Sequence, residues 1–141
     1  MRVYLAAAWS RKEEIAGIAY DLVKLGVDVQ ARWLAEPSFP KSKHALDKFL
    51  RERALIDVHD VRAADILVRF SDDLNCENIP AYLGTGSRMV EMGIALERGI
   101  PVIVVGGHQP VFDHLPQVMH LKDVEELKAY LSASETTEPL T

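Results

Sequence analysis

A short polar segment at residues 84–91 combines the residue types of a phosphate-binding loop with a carboxylate. It has the sequence Gly-Thr-Gly-Ser-Arg-Met-Val-Glu and opens a helical pattern that continues to Gly99. Glycines and hydroxyl side chains ahead of a helix leave backbone N–H groups that suit a phosphate. Glu91 would repel a phosphate, so we expect it to act on a group beside the phosphate. The segment therefore predicts chemistry on a nucleotide, at its sugar.

A second carboxylate interrupts the apolar stripe of the helix predicted at residues 43–61. Asp57 lies on that stripe, and Arg53 precedes it by one helical turn. The stripe consists of Leu46, Leu50, Arg53, Asp57, Val61 and Ala64. A carboxylate that points inward needs a partner or a function. Two interpretations stay open at this point: a structural pair with Arg53, worth about 0.3–0.5 kcal/mol if exposed, or a catalytic carboxyl group.

The composition favours a single domain that binds a small molecule. A chain of 141 residues can bury a substantial core. Its net charge of −5 argues against a nucleic-acid polymer as ligand, because such proteins usually carry a basic face. The apolar runs are too short to span a membrane, and residues 1–14 become charged too early for a signal peptide. Cys76 is the only cysteine, so we expect no disulfide framework and a cytoplasmic location.

Strand and helix patterns alternate along the chain. Strands are predicted at residues 2–8, 27–33, 65–70, 101–106 and 118–121. Helices are predicted at residues 10–25, 43–61, 87–98 and 123–131. This alternation is typical of an α/β fold, here a single-domain, doubly wound, mainly parallel five-stranded sheet of flavodoxin-like or Rossmann-like type. We place the domain at residues 1–133 and a flexible tail at residues 134–141.

Two helix starts are predicted at the carboxyl ends of strands, where ligands bind in such folds. Ser10 and Glu13 have the spacing of a capping box, and Ser87 is predicted to cap the helix that carries Glu91. We expect the positive end of that helix to keep Glu91 ionised. Both helix starts can therefore meet in one crevice.

Aromatic and histidine side chains allow further interpretations. Trp9 and Trp33 could stack a nucleobase or pack in the core. The six-residue spacing of His108, His114 and His120 fits no common metal site. We therefore predict no metal.

The sequence resembles the nucleoside 2-deoxyribosyltransferase superfamily, which includes 2'-deoxynucleoside 5'-phosphate N-hydrolases and CMP/hydroxymethyl-CMP hydrolases. The resemblance covers most of the chain, from Val3 to about Leu121. It rests on residues 3–9 (Val-Tyr-Leu-Ala-Ala-Ala-Trp), on Asp57 with Ala64-Asp65, and on residues 85–91 with Gly93-Ile94-Ala95. It implies a flavodoxin-like sheet and cleavage of an N-glycosidic bond without a cofactor. By the same resemblance, Glu91 matches the nucleophile, Asp57 the second catalytic carboxylate and Tyr4 a tyrosine near the glutamate.

Thr85 favours the nucleotide-hydrolase branch of that superfamily. The transferases of free nucleosides carry an aspartate at this position, where it binds the sugar 5'-hydroxyl. An aspartate would repel a phosphate, whereas a threonine hydroxyl can donate a hydrogen bond to one. The helix starts and the resemblance together assign phosphate binding to Ser10, Arg11, Thr85, Gly86, Ser87 and Arg88. They assign base binding to Trp9, Arg32 and Trp33.

The predicted activity is hydrolysis of the N-glycosidic bond of a pyrimidine (deoxy)nucleoside 5'-monophosphate, with Glu91 as nucleophile. Three alternatives stay open: a deoxyribosyltransferase of free nucleosides, a phosphoribohydrolase that releases cytokinin bases, and a non-catalytic nucleotide sensor. Members of the superfamily usually complete each active site with residues of a neighbouring subunit. This family property implies a homodimer or larger assembly, in which residues 108–116 form the loop that each subunit contributes to the neighbouring active site.

Overall fold

The computed structural model describes residues 1–35, 40–71, 86–107 and 111–136 of the chain. Within these ranges, five parallel strands form one sheet in the order β2-β1-β3-β4-β5. The strands are β1 (Arg2–Ala6), β2 (Asp28–Val29), β3 (Ile66–Phe70), β4 (Val102–Val105) and β5 (Val118–Leu121). The helices are α1 (Lys12–Lys24), α2 (Lys43–Ala63), α3 (Ser87–Glu97) and α4 (Val124–Thr136). The predicted doubly wound α/β fold is confirmed.

The helices cover both faces of the sheet, because the chain moves in one direction from β1 to β2 and in the opposite direction from β2 onward. Helix α1 packs with α4, and α2 packs with α3, so the pairs form separate layers. Strands β3 and β4 between them are buried at every position, as parallel strands covered on both faces usually are. The strand order places a topological switch point at the carboxyl ends of β1 and β3, where ligands of such folds bind.

The second predicted strand is much shorter than expected. Only Asp28–Val29 pairs with β1, and Arg32–Ala35 forms a 3-10 turn instead of a strand. Tertiary hydrogen bonds account for the difference. The ring N–H of Trp33 donates to the carbonyl of Leu5 at 2.9 Å, and the backbone N–H of Arg32 donates to Asp60 at 3.1 Å. These contacts turn the chain away from the sheet edge.

The predicted capping roles of two serines are wrong. Ser10 lies within a 3-10 turn at Trp9–Arg11, and α1 begins after Arg11 without a side-chain cap. Ser87 is the first residue of α3, whose N-cap is Gly86. The 3-10 turn forms because the backbone N–H of Arg11 donates to the carbonyl of Ala8 at 2.9 Å. Ser10 and Ser87 are both exposed to solvent.

The boundaries of helices α2 and α4 differ less from the predicted ones. Helix α2 begins at residue 43 as predicted, and the side chain of Ser42 caps it by accepting from the N–H of Ala45. Helix α4 extends to Thr136 rather than ending at residue 131. The division between a domain at residues 1–133 and a tail at residues 134–141 stays a prediction. In the part of the chain with described structure, no helix has both the length and the apolar character that a membrane span requires.

A buried ion pair connects β3 with α3 and β5 at the edge of the sheet where the site lies. Arg69 of β3 and Asp113 are both fully buried, and the Nη1 and Nη2 atoms of the guanidinium donate to the two carboxylate oxygens at 2.5 Å each. The same guanidinium contacts the sulfur atoms of Met89 and Met92 on α3. His120 of β5 contacts the carbonyl oxygen of Asp113 at 2.7 Å. The pair therefore links β3, α3 and β5.

We predict that Arg69→Met strongly destabilises the protein, because the variant leaves the Asp113 carboxylate buried without its cation. Loss of one partner from such a pair typically costs about 3–5 kcal/mol. The free energy of unfolding in urea measures this loss. Arg98→Met, an exposed position at the end of α3, is the matched control. Recovery in the double variant Arg69→Met/Asp113→Leu is expected. A loss in Arg69→Met no larger than in the control would contradict this prediction.

Candidate active site

A hydrogen bond between two distant parts of the sequence forms the centre of the site. Tyr4 lies in β1 and is fully buried, and its hydroxyl donates to the Oε2 atom of Glu91 on α3. The packing of α3 against β1 and β3 brings the two side chains together. The structure thus places Tyr4 beside the glutamate, which is the neighbourhood that the resemblance implied.

Asp57 is the third member of this group. It lies on α2, which packs against α3, and its side chain is partly buried with an inaccessible Oδ1 atom. Its negative charge acts on both Glu91 and Tyr4 and raises the pKa of each. Two carboxyl groups and one phenol are therefore within electrostatic reach of one another at this site.

Burial controls the protonation of Glu91. The pKa of Glu91 is raised to about 8: burial raises it most, the Tyr4 hydrogen bond lowers it, and the charge of Asp57 raises it. The expectation that the helix end keeps Glu91 ionised is therefore wrong. Glu91 is the fifth residue of α3, and the helix dipole acts mainly within the first turn. Desolvation of the carboxylate outweighs the dipole at this depth.

Tyr4 remains a neutral hydrogen-bond donor. Its pKa is raised well above the usual value, first by burial and then by the negative charges of Glu91, Asp57 and Asp60. A phenol in this state stabilises the ionised form of Glu91 by donating to it. Tyr4 can therefore orient the carboxylate and favour its deprotonation at the same time.

Sequence reasoning missed Asp60, which is fully buried one helical turn after Asp57. It holds the guanidinium of Arg32 by bonds of 2.7 Å from Nη2 and 3.0 Å from Nε, both to Oδ1. Its Oδ2 atom accepts the backbone N–H of Arg32. The side chain of Arg32 is 51% exposed. The spacing of Asp60 from Asp57 could have revealed it from the sequence, because this spacing places both residues on the inner side of α2.

Arg11 connects the first helix start to the carboxyl end of β3. Its Nη1 atom donates to the carbonyl of Ser71 at 2.9 Å, and its Nε and Nη2 atoms donate to Glu14. Ser71 follows β3 directly, so Arg11 lies at the edge where the switch point is found. Ser10 is exposed beside it. The phosphate-binding role of both residues stays a prediction.

The start of α3 divides into exposed and buried positions. Gly86 and Ser87 are exposed, whereas Arg88 is buried on the inner side of the helix. The predicted phosphate ligand Thr85 lies outside the described residues. Exposed backbone N–H groups at a helix start are suitable for an anion. The roles of Gly86, Ser87 and Arg88 in binding phosphate stay predictions.

The two tryptophans differ in accessibility. Their ring centroids are 6.0 Å apart, and the Nζ atom of Lys12 lies 4.7 Å from the ring centroid of Trp9. Trp9 is partly exposed, whereas Trp33 is 5% exposed and belongs to the core. Trp9 is therefore the more accessible of the two for stacking a base. Base binding by Trp9, Arg32 and Trp33 stays a prediction.

Known protein structures share this fold. Neither the models of known families nor the curated protein sequences give a match to this chain. Among solved structures, the chain is similar to a 2-deoxyribosyltransferase from Bacillus psychrosaccharolyticus, with a TM-score of 0.62, 20% identity and 100% of both chains covered. It is also similar to the Clostridium botulinum CMP N-glycosidase BcmB, with a TM-score of 0.56, 15% identity and coverage of 96% of this chain and 99% of that one. At these identities, the similarity establishes the fold.

We predict that Glu91→Gln becomes more stable relative to the wild type as the pH rises from 5 to 8. The pKa of Glu91 in the folded protein, about 8, lies above the ordinary value of 4.5. The folded state therefore binds this proton more tightly, and its stabilisation is complete below pH 4.5 and lost as the pH rises through 8. The glutamine side chain of the variant has no proton to lose.

Melting temperatures of both proteins at several pH values measure this effect. Glu97→Gln, an exposed position on the same helix, is the matched control and should follow the wild type at every pH. A constant difference between Glu91→Gln and the wild type across this range would show that Glu91 has an ordinary pKa.

Proposed function

We propose that the protein cleaves the N-glycosidic bond of a pyrimidine (deoxy)nucleoside 5'-monophosphate to give the free base and the sugar 5-phosphate. The hydrogen bond of Tyr4 to Glu91, with Asp57 in electrostatic reach, is the observation that carries this proposal. Cleavage of such a bond develops positive charge at C1' of the sugar, and a carboxylate can stabilise that charge or bond to it. Loss of the base also requires a proton or a hydrogen-bond donor.

The groups at the site can perform both steps. Ionised Glu91 attacks C1' while the bond to the base breaks, and Tyr4 orients the attacking oxygen. Asp57 takes up the proton that Glu91 loses and donates it to the departing base. Water then attacks C1' of the glycosyl-enzyme and gives its proton to Asp57, and the sugar phosphate and free Glu91 are released. The pKa of about 8 for Glu91 means that the free protein must lose a proton before attack.

The similar structures support chemistry at the N-glycosidic bond. One is a 2-deoxyribosyltransferase and the other a CMP N-glycosidase. The first is a transferase and the second a glycosidase. Transfer between free nucleosides is therefore the second candidate function. Thr85 in place of the aspartate of the transferases favours the nucleotide hydrolase.

The buried carboxyl group at the site helps to decide between an enzyme and a non-catalytic nucleotide sensor. A protein that only binds a nucleotide needs a cradle for the phosphate but no buried carboxyl group against a phenol. Burial of the Glu91 carboxyl group costs stability whenever it is ionised. The presence of this costly group favours an enzyme over a sensor.

We further infer that the protein forms a homodimer or larger assembly. We also infer that its substrate is a small nucleotide and that it acts in the cytoplasm. Val111 and Phe112 are 76% and 62% exposed, next to residues 108–110, which lie outside the described ranges. Exposed apolar side chains in a segment anchored by the buried Asp113 are suited to a contact between subunits. Sedimentation at micromolar concentration measures the assembly, and a fully active monomer would exclude this inference.

We predict that Glu91→Gln loses base release by at least about a thousandfold, because a neutral amide cannot attack C1' or balance its charge. Chromatography of the base released from CMP and dCMP measures the rate. Glu97→Gln on the same helix is the control and should retain the wild-type rate. Equal melting temperatures at low pH would show that the Glu91→Gln variant is folded. Turnover of folded Glu91→Gln within tenfold of the wild type would remove Glu91 from this role.

We predict that the wild type prefers nucleoside monophosphates to nucleosides by orders of magnitude in kcat/KM. A phosphate gains charge-assisted hydrogen bonds at the start of α3, each worth about 1.5–3 kcal/mol, and a nucleoside lacks them. The comparison of CMP with cytidine, and of dCMP with deoxycytidine, measures the preference. Thr85→Asp should reverse part of it by charge repulsion. Comparable rates on a nucleoside and its monophosphate would instead support the transferase.

A further inference from the structure

Among the described helices, α2 is the longest and yet buries the fewest residues. Of its 21 residues only Asp60 and Val61 are buried, whereas α1 and α3, with 13 and 11 residues, each bury three. A helix in a folded protein is stabilised mainly by the packing of its apolar face. Leu55 on α2 is 68% exposed, although leucine is among the residues most often found buried. Part of α2 therefore presents apolar surface that the described chain leaves uncovered.

The uncovered surface lies on one stripe of α2. Four exposed residues recur on it at the spacing of one helix face, namely Glu52, Leu55, His59 and Arg62. The partly buried Val58 borders the stripe and lines a shallow groove together with Leu55 and Arg62. Val90 of α3, which is 64% exposed, lines a second groove that shares Arg62. The apolar surface of α2 thus continues towards α3.

The charges at the two ends of this stripe make it complementary to itself. Glu52 and Arg62 lie at its ends, and Leu55 and His59 each lie three residues inward from an end. When two copies of the stripe run antiparallel, Glu52 of each copy meets the partner's Arg62. Leu55 of each copy then meets the partner's His59. A contact between identical patches related by a two-fold axis requires self-complementarity of this kind.

The charged ends of the stripe are weakly engaged within one protomer. Arg62 forms no ion pair with another residue of the described ranges. Glu52 lies 4.0 Å from Lys48, and both side chains are mostly exposed, so this pair contributes little. Glu52 and Arg62 are about 15 Å apart along the helix axis, which is too far for them to pair with each other. Both charges can therefore pair with a second copy.

We propose that this stripe of α2 is a contact between two copies of the chain, with the two α2 helices antiparallel across a two-fold axis near Val58. Ion pairs join Glu52 of each protomer to the partner's Arg62, and the contact removes Leu55 from water. Burial of apolar surface is the main favourable contribution to such contacts. Because the stripe carries both signs of charge, it matches a second copy better than a strongly acidic or basic partner.

Charge reversal tests the pairing, and sedimentation equilibrium of the full chain measures the dissociation constant of the dimer. Arg62→Glu and Glu52→Arg each place like charges opposite one another, and each should raise the dissociation constant at least about tenfold. The double variant Glu52→Arg/Arg62→Glu restores the pairs with reversed polarity and should return to within about threefold of the wild type. Because the two positions cannot pair within one helix, this recovery requires pairing between protomers.

A cation in the apolar part of the stripe tests the same contact independently of the ion pairs. Leu55→Arg should raise the dissociation constant at least about thirtyfold, because the two-fold axis places two unpaired cations in the contact. Val23→Arg is the matched control, because Val23 is 56% exposed and lies on α1, in the other helix layer. The control should keep the wild-type dissociation constant. If circular dichroism shows that Leu55→Arg is unfolded, the charge-reversal variants decide the question.

Disulfide cross-linking tests the antiparallel arrangement. In a Cys76→Ser background, which removes the only native cysteine, Val58→Cys near the axis should link two protomers. Glu52→Cys alone should not, because its two copies are about 15 Å apart along the helices.

Three outcomes would overturn the proposal. The first is a wild type that stays monomeric at millimolar concentration. The second is a dimer that neither Leu55→Arg nor the charge variants weaken, since the assembly would then use another surface, such as Val111 and Phe112. The third is dissociation by the single variants without recovery in the double variant. None of these measurements needs a substrate, so they test the contact whether or not the protein releases a base.

Discussion

The site depends on the burial of one carboxyl group against one phenol. The hydrogen bond from Tyr4 to Glu91 joins β1 to α3, and burial of the pair raises the pKa of Glu91 to about 8. Because an ionised carboxylate is costly at such a position, every charged group nearby changes the balance between the protonated and ionised forms. Asp57 shifts that balance towards the protonated form, and Tyr4 shifts it towards the ionised one. The arrangement produces a carboxyl group that can change charge near neutral pH.

The sheet topology explains how these groups reach one place. Strand β1 lies between β2 and β3, and the connection from β1 to β2 runs in one direction along the sheet whereas those from β2 to β3 and from β3 to β4 run in the other. Helices α2 and α3 consequently lie on the same face, where Asp57 and Glu91 converge over Tyr4. The buried pair of Arg69 and Asp113 holds the opposite side of α3 through contacts of the guanidinium with Met89 and Met92. Position and charge at the site are therefore maintained by separate sets of contacts.

Two ion pairs near the site differ in their exposure and therefore in what they can contribute. Arg69 and Asp113 are both fully buried, so either charge alone would be strongly unfavourable and the pair acts as a unit. Arg32 is half exposed while Asp60 is buried. The solvated half of Arg32 lowers the cost of bringing its charge close to Asp60 and Tyr4. Loss of Asp113 would therefore leave the Arg69 charge fully buried, whereas loss of Asp60 would leave the Arg32 charge half in solvent.

The sequence by itself determined the α/β alternation, the parallel sheet and the candidates Asp57 and Glu91, because hydrophobic periodicity and residue types are local properties of the chain. Tyr4 became a candidate through the family resemblance alone. Only the tertiary structure decided the protonation of Glu91 and the pairing of Asp60 with Arg32. Burial and ion pairing depend on residues distant in the sequence, and no local pattern encodes them. The same reason explains the shortened second strand, where the hydrogen bond from Trp33 to the distant carbonyl of Leu5 replaces the local structure that the pattern predicts.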